Sequence, residues 1–243
     1  MMFRVARSRE GKEITHYDLY KVDLRKGMTV LDALFQIQDY MDESLAFRYS
    51  CRGAVCGSCA MLVNKIPVLA CRSQVSSLKN VSPNLKSFAA LIDAPTGWNP
   101  ETEILVEPLP NLPILKDLVV DMTRFYDALE SLELWAEPAS GDEPRVQSPT
   151  ERKRIERYVN CIMCALCFGS CPINAKREDY LGPAALAKAW RFSQDSRIEG
   201  SNKYLESAKS SEGAPLCDLI YNCVKVCPKG VAPGGAIKKI KES

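Results

Sequence analysis

Residues 160–172 read NCIMCALCFGSCP, and residues 216–228 read LCDLIYNCVKVCP. The first stretch has the spacing C-x2-C-x2-C-x3-C-P, which is formed by Cys161, Cys164, Cys167, Cys171 and Pro172. The second stretch repeats this spacing through its final Cys-Pro, except that Ile220 stands where the second cysteine would be. The repeat therefore indicates two related metal sites, one of which has fewer thiol ligands than the other.

The first stretch matches the bacterial ferredoxin motif, in which three cysteines bind one cluster and the fourth binds the other cluster. By this crossover rule, Cys227 completes a [4Fe-4S] site that the first three cysteines begin. The other site then receives Cys171, Cys217 and Cys223 and has no fourth thiolate. We therefore predict a [3Fe-4S] cluster there, with Ile220 facing the vacant corner. The alternative is that Ile220 simply packs in a helix core.

A further cysteine motif lies near the N-terminus. Cys51, Cys56 and Cys59 have the spacing C-x4-C-x2-C, and Cys71 follows. This spacing is typical of plant-type [2Fe-2S] sites. The small residues between these cysteines would let backbone N–H groups point at cluster sulfurs. The alternative is a four-thiolate zinc site, but such sites usually pair two C-x2-C units and this motif has one.

The composition restricts the class of protein. The chain has 243 residues, 46% of them hydrophobic, and a net charge of +2, which gives no indication of nucleic-acid binding. Its eleven cysteines cannot all form internal disulfides because their number is odd. The first residues lack the apolar region of a signal peptide, and no run of eighteen apolar residues suggests a membrane span. Reduced cysteines that bind metal are therefore expected.

The cysteine groups divide the chain into two predicted domains. The proline-rich stretch EPLPNLP at 107–113 lies between them and is interpreted as a linker. We therefore predict a [2Fe-2S] domain over residues 1–108 and a second domain, with the [4Fe-4S] and [3Fe-4S] sites, over residues 109–243.

The first domain is predicted to combine a small sheet with a helix. HYDLYKVDL, which begins at His16, alternates apolar and polar residues as a half-buried strand does. Thr29 is a plausible N-cap for a helix from about 29 to 41, whose apolar face is formed by Val30, Leu34, Ile37 and Met41. Residues 60–70 predict a hairpin that turns at Asn64-Lys65.

The second domain is predicted to be helical. Apolar residues from 115 to 129 recur at helical spacing and are expected in the core: Leu115, Leu118, Val119, Met122, Phe125, Tyr126 and Leu129. Ser148, Pro149 and Glu151 are typical of a helix start with a capping box. The Arg152-Lys153-Arg154 run is expected to be solvated. Further helices are predicted at GPAALAKAWRFSQDSR, with Pro183 in the first turn, and at the C-terminus.

This order of motifs resembles the iron–sulfur subunits of succinate dehydrogenase and quinol:fumarate reductase. The resemblance covers SCRGAVCGSC, GPAALAKAWRFSQDSR and NCVKVCPKG, and so nearly the whole chain. It implies an α+β fold with an N-terminal β-grasp ferredoxin-like domain and a C-terminal all-α helical ferredoxin domain. It also implies a flavoprotein partner with FAD and a transmembrane anchor that helps to bind quinone and can hold haem b.

The resemblance also suggests the type of quinone. Ubiquinone-type members have a tryptophan pair where this chain has Ala175 and Lys176, and many have a histidine where it has Asp218. The family's quinone-site lysine is retained as Lys229, and Pro172 and Ile220 are expected nearby. These features favour a menaquinol-linked fumarate reductase.

The expected function is therefore electron transfer between quinol at the anchor and FAD in the flavoprotein, at the cytoplasmic face of a bacterial inner membrane. Dicarboxylate chemistry would belong to the flavoprotein, so no catalytic residue is expected here, and His16 is predicted to be an ordinary surface or strand residue. One alternative is succinate oxidation by the same subunit working in the opposite direction. Others are a soluble multi-cluster electron carrier, and a glycolate-oxidase-type or thiol-linked fumarate reductase subunit.

Overall fold

The computed structural model describes residues 1–8, 13–78, 93–136 and 145–243. The chain forms two compact units. One contains Met1–Met122 and Met163–Ser170, and the other contains Thr123–Ile162 and Cys171–Ser243. The domain boundary that composition places between residues 108 and 109 stays a prediction.

A five-stranded mixed sheet forms the centre of the N-terminal unit. Its strands are β1 Met2–Arg7, β2 His16–Lys21, β3 Ala60–Val63, β4 Ile66–Leu69 and β5 Glu103–Glu107. The strand order is β2-β1-β5-β3-β4, in which β1 and β5 are parallel and the other neighbours antiparallel. Helix α1, Val30–Tyr40, connects β2 to β3, and a short helix α2, Val75–Leu78, follows β4. This arrangement confirms the predicted β-grasp architecture.

Helix α1 begins where its cap predicts. The Thr29 hydroxyl accepts a hydrogen bond from the Asp32 backbone N–H, and the Asp32 carboxylate accepts one from the Thr29 N–H. This reciprocal capping box satisfies two donors that a helix start leaves unpaired. The predicted apolar residues of α1 are buried except for Met41, which is 43% exposed and caps the C-terminus of the helix.

The β3–β4 hairpin confirms the turn predicted at Asn64-Lys65. Both residues have positive φ, 47° and 65°, as a two-residue hairpin turn of this kind requires. The Asn64 side chain is buried there and paired on both sides. Its amide group donates to the Leu78 carbonyl, and its carbonyl oxygen accepts from the Leu105 N–H at 2.8 Å. The hairpin therefore has a fixed register with respect to β5. His16 lies on β2, as predicted.

The helix predicted over residues 115–129 is wrong in its first half. Strands β6 Ile114–Lys116 and β7 Val119–Val120 form a hairpin, and helix α3 covers only Thr123–Glu130. Asp117 turns the hairpin with φ 48°, and its buried carboxylate accepts hydrogen bonds from the N–H groups of Ser8 and Ala46. These distant contacts, together with β-branched residues that favour strands, outweigh the local helical spacing. Leu118 and Phe125 are buried, as predicted, whereas Leu115 and Tyr126 are exposed.

The proline-rich stretch at 107–113 is not a free linker. Leu109 is only 2% exposed and Leu112 only 7%. The Asn111 side chain donates to the carbonyls of Phe168 and Gly169, at 3.2 and 3.0 Å. The stretch is therefore part of the packed N-terminal unit, with which residues 163–170 and helix α5, Leu166–Gly169, are grouped.

A network of charged side chains around Arg7 joins β1 to the rest of the N-terminal unit. The guanidinium contacts three carboxylates, those of Asp18, Asp42 and Asp117, and also the hydroxyls of Tyr20 and Ser44. Arg7 itself is only 8% exposed. A guanidinium that leaves water must be matched by such partners, so this network is expected to be important for folding.

Stability should decrease in acid because of Asp42. Burial by itself would raise the pKa of this carboxyl, but hydrogen bonds from Ser44, Tyr20 and Arg7 outweigh it, and the pKa falls well below its usual 3.8. A depressed pKa stabilises the fold above the unfolded-state pKa and loses this contribution as the pH falls through the folded-state pKa. We expect the urea concentration at the unfolding midpoint of the wild type to decrease as the pH is lowered below about 4. Asp42→Asn should flatten this dependence, and an equal slope in both proteins would contradict the prediction.

Every element of the C-terminal unit within its described residues is helical. Helix α3 is followed by α4 Pro149–Val159, α6 Gly182–Ser193, α7 Asn202–Ala208, the 3-10 turn Ala214–Leu216, α8 Asn222–Lys225 and α9 Pro233–Glu242. The Ser148–Glu151 capping box, Pro183 in the first turn of α6 and the C-terminal helix are all confirmed. Arg152, Lys153 and Arg154 are exposed, as predicted. Among the helices of the described residues, none has the length and apolar character needed to cross a membrane.

Candidate iron–sulfur centres

The N-terminal thiols come together because the β3–β4 hairpin closes next to them. Cys59 immediately precedes β3, and Cys71 lies two residues after the end of β4. The Ala70 N–H, between Cys71 and the strand, donates to the Cys59 carbonyl at 3.0 Å. The Cys71 N–H then lies 3.5 Å from the Cys59 sulfur as a donor. The hairpin register therefore fixes the spacing of one pair of predicted ligands.

The loop from Cys51 to Cys56 directs backbone donors at the sulfurs of Cys51 and Cys71. The N–H groups of Val55 and Cys56 both lie 3.2 Å from the Cys51 sulfur, and the Ala54 N–H lies 3.3 Å from the Cys71 sulfur. Positive φ values at Arg52 and Ala54 turn these N–H groups inward. Such a set of donors fits anionic sulfur, whether of a thiolate or of a bound [2Fe-2S] cluster.

The thiols of this loop differ in burial and acidity. Burial would raise the pKa of Cys56, but hydrogen bonds from Ser58 and Cys51 outweigh it and lower the pKa to about 6. Burial raises the pKa of Cys59 to about 12, with further contributions from the neighbouring cysteines. Cys51 is exposed at the surface of the unit. The loop thus offers one accessible edge and one buried edge to a bound group.

In the C-terminal unit, Cys161 and Cys227 pack against the same small apolar cluster. This cluster consists of Tyr158, Ala187, Val231 and Ala236. The Cys227 sulfur accepts from the Val231 N–H at 3.3 Å. This proximity supports the crossover predicted from the motif, in which Cys227 joins Cys161. Cys164 and Cys167 belong to the segment grouped with the N-terminal unit, so their place in the [4Fe-4S] site stays a prediction.

Cys171, Cys217 and Cys223 form a second group, separate from the first. Cys171 and Cys217 belong to one large apolar cluster of the C-terminal unit, whereas Cys161 and Cys227 contact the other. Burial raises the pKa of Cys223 to about 12, and negative charge on Cys171 and Cys217 acts in the same direction. The three thiols that the repeat assigns to one site are thus close enough to interact.

Gly234 is required for the packing around Cys223. A Cβ on this glycine would lie 2.8 Å from the Tyr221 ring and 3.4 Å from the Cys223 sulfur. The first distance is a clash, so any larger residue would displace the Tyr221 ring. Glycine at position 234 therefore allows the start of α9 to pack closely against the cysteine motif.

Ile220 does not pack in a helix core, which excludes that alternative. It lies before α8, between Leu219 and Tyr221, both of which have positive φ, and its side chain is 43% exposed. The Leu219 N–H donates to the Cys217 sulfur at 3.4 Å. The role of Ile220 at a vacant cluster corner stays a prediction, as do quinone contacts of Pro172 and Lys229, both of which are half-buried.

Sequence reasoning missed two buried polar residues next to the second thiol group. Tyr180 is 1% exposed and interacts with Cys171, Cys217 and Cys223. Asn174 is 2% exposed, and its backbone N–H donates toward Cys171. Neither residue belongs to a cysteine motif, so spacing alone could not identify it. Within the described part of the chain, no three Cys, His, Asp or Glu side chains converge as ligands of a single metal ion.

Comparison with known proteins agrees with both halves of this description. Residues 2–127 match the family model of a 2Fe-2S iron-sulfur cluster binding domain, and residues 158–231 match that of a 4Fe-4S dicluster domain. A fumarate reductase iron-sulfur subunit from Mycobacterium tuberculosis is 36% identical over 229 residues, which are 93% of this chain and 84% of that protein.

Two solved structures have a similar fold. A chain of the Mycobacterium smegmatis Sdh1 complex in the apo form aligns with a TM-score of 0.83 and 22% identity, over 99% of this chain and 93% of that one. A hypothetical protein from Helicobacter pylori aligns with a TM-score of 0.55 and 16% identity, over 100% of this chain and 39% of that one. Together with the family matches and the arrangement of the thiols, these findings show that the chain belongs to the iron–sulfur subunits of the fumarate reductase and succinate dehydrogenase family.

Proposed function

We propose that this chain is the electron-transfer subunit of a membrane-bound quinol:fumarate reductase. It would pass electrons from menaquinol, bound near a transmembrane anchor that can hold haem b, to FAD in a flavoprotein partner. The observation that supports this direction is the 36% identity, over most of both chains, to a protein named as a fumarate reductase subunit. Ala175 and Lys176, both exposed, are a second support, since ubiquinone-type members have tryptophans there.

The residues that would hold the clusters follow from the motifs. Cys51, Cys56, Cys59 and Cys71 would hold a [2Fe-2S] cluster. A [4Fe-4S] cluster would bind Cys161, Cys164, Cys167 and Cys227, and a [3Fe-4S] cluster would bind Cys171, Cys217 and Cys223. When bound, these groups would supply one-electron redox chemistry at potentials set by cluster type, charge, hydrogen bonds and burial.

The chain's own residues would tune and separate these sites. Backbone N–H groups of the Cys51 loop would stabilise negative charge on sulfur there. Burial of Cys171 and Cys223 would keep water away from the second thiol group. Exposed Val55, at the tip of the N-terminal loop, would leave that site accessible to a flavoprotein. Lys229 could donate a hydrogen bond to a quinone carbonyl, with Pro172 and Ile220 nearby.

Turnover of the purified complex tests the direction of electron flow. We expect fumarate reduction with a menaquinol analogue to exceed succinate oxidation with ubiquinone. Ala175 and Lys176, and the identity to a fumarate reductase subunit, favour the menaquinol-linked type. Iron analysis should give about nine irons per chain, the sum of the three cluster types. Activity only from succinate to ubiquinone would instead support the reverse reaction. Purification without any flavoprotein would support a soluble electron carrier.

A further inference from the structure

The hydroxyl of Tyr180 is buried without a hydrogen-bond partner of standard geometry among the described residues. The whole residue is 1% exposed and lies in the apolar cluster that also contains Cys171 and contacts Cys217. A buried hydroxyl that lacks a partner costs about 1–3 kcal/mol. Such a group in a well-packed core therefore indicates an acceptor at the thiol site beside it.

Tyr180 packs in the same apolar cluster as Cys171 and Cys217, and it lies close enough to Cys171, Cys217 and Cys223 to interact with all three. A phenol hydroxyl can donate a proton, whereas thiolate and cluster sulfurs only accept, so this hydroxyl would act as a donor toward them. Among the described residues, no acceptor meets hydrogen-bond geometry with this hydroxyl. The sulfurs of the neighbouring site are therefore the candidate acceptors.

We propose that the Tyr180 hydroxyl donates a hydrogen bond to sulfur at the Cys171, Cys217 and Cys223 site and thereby raises the reduction potential of the cluster bound there. This inference rests on the proposed function for the presence of that cluster. A donor stabilises the reduced cluster more than the oxidised one, because reduction adds negative charge to the sulfurs. Tyr180 would thus be a positioning residue that tunes electron transfer at the last site before quinone.

Tyr180→Phe removes the hydroxyl and keeps the ring, and it should be studied in the whole purified complex. At a fixed ambient potential near the midpoint, we expect the ratio of oxidised to reduced cluster at this site to rise by about tenfold, which for a one-electron couple corresponds to 59 mV. The two other clusters should keep their potentials. After exchange into D2O, pulsed EPR should detect a strongly coupled deuteron in the wild type that Tyr180→Phe lacks.

Tyr204→Phe is the matched control. Tyr204 belongs to the same apolar cluster and is equally buried, but its hydroxyl donates to the Trp135 carbonyl at 2.6 Å. We expect this variant to leave the potential and the deuteron coupling unchanged. An equal shift in both variants, or an unchanged potential in Tyr180→Phe, would overturn the inference.

The same samples separate this inference from the proposed direction of turnover. If Tyr180→Phe shifts the potential in a complex that only oxidises succinate, the inference stands and the fumarate reductase proposal fails. If the shift is absent while menaquinol-dependent fumarate reduction persists, the inference fails and the function stands. A wild-type complex without any iron–sulfur signal from this site would overturn the inference as well.

Discussion

Ile220→Cys is expected to abolish the three-iron EPR signal and replace it with that of a four-iron cluster. The substitution restores the complete C-x2-C-x2-C-x3-C-P spacing, and thiolate is the ligand that iron–sulfur clusters use. Residue 220 lies in a loop, and its side chain is 43% exposed rather than packed in a core, so a cysteine there can be accommodated. Redox titration followed by low-temperature EPR would measure both the signal and its midpoint potential.

Quinol-linked turnover should decrease in this variant. A four-iron cluster at this position is expected to have a lower potential, which makes electron transfer from quinol less favourable. Each 59 mV of lowering shifts the one-electron equilibrium about tenfold, so a decrease in turnover of about tenfold or more is expected. Ile220→Val is the control, because it changes the packing without adding a ligand and should retain the three-iron signal. An unaltered three-iron signal in Ile220→Cys would show that residue 220 does not face the vacant corner.

The sequence predicts which cysteines share a cluster, because covalent spacing restricts which thiols can reach one cluster. The crossover between Cys161 and Cys227 follows from the motif alone, and the structure places both against the same apolar cluster. Capping boxes at Thr29 and Ser148 were also predictable, since each depends on residues three positions apart. Local chemistry was sufficient for both capping boxes.

Other features depend on residues far apart in the sequence and could not be predicted. The segment from Ile114 to Val120 has helical spacing but forms a hairpin, because Asp117 pairs with β1 and with residues after α1. Tyr180 lies next to the thiols only after α6 packs into the C-terminal unit. Prolines suggested a linker at 107–113, whereas Asn111 and its apolar neighbours bind that stretch to residues 168 and 169. Tertiary contacts determined each of these outcomes.

Asp117→Ala is expected to destabilise the N-terminal unit by about 3–5 kcal/mol, the usual cost of removing one partner from a buried ion pair. Asp117 is 2% exposed, and one carboxylate oxygen accepts from Arg7 Nε at 3.1 Å and from the Ser8 N–H at 3.0 Å. The other oxygen accepts from the Ala46 N–H at 3.0 Å. Truncation would leave buried donors unpaired and would place alanine at a φ of 48°, which it tolerates less well than aspartate.

Hydrogen exchange of the full chain measures this loss at the amides concerned. The Ser8 and Ala46 amides should exchange at least about 100-fold faster in Asp117→Ala, since each 1.4 kcal/mol corresponds to a factor of ten. Asp18→Ala is the matched control, because Asp18 contacts the same Arg7 but its side chain is 38% exposed. An exposed pair contributes about 1 kcal/mol or less, so that variant should change exchange only slightly. Equal effects of the two substitutions would mean that Asp117 acts only as one more partner of Arg7, and that its bonds to the two backbone amides add nothing to the stability of the fold.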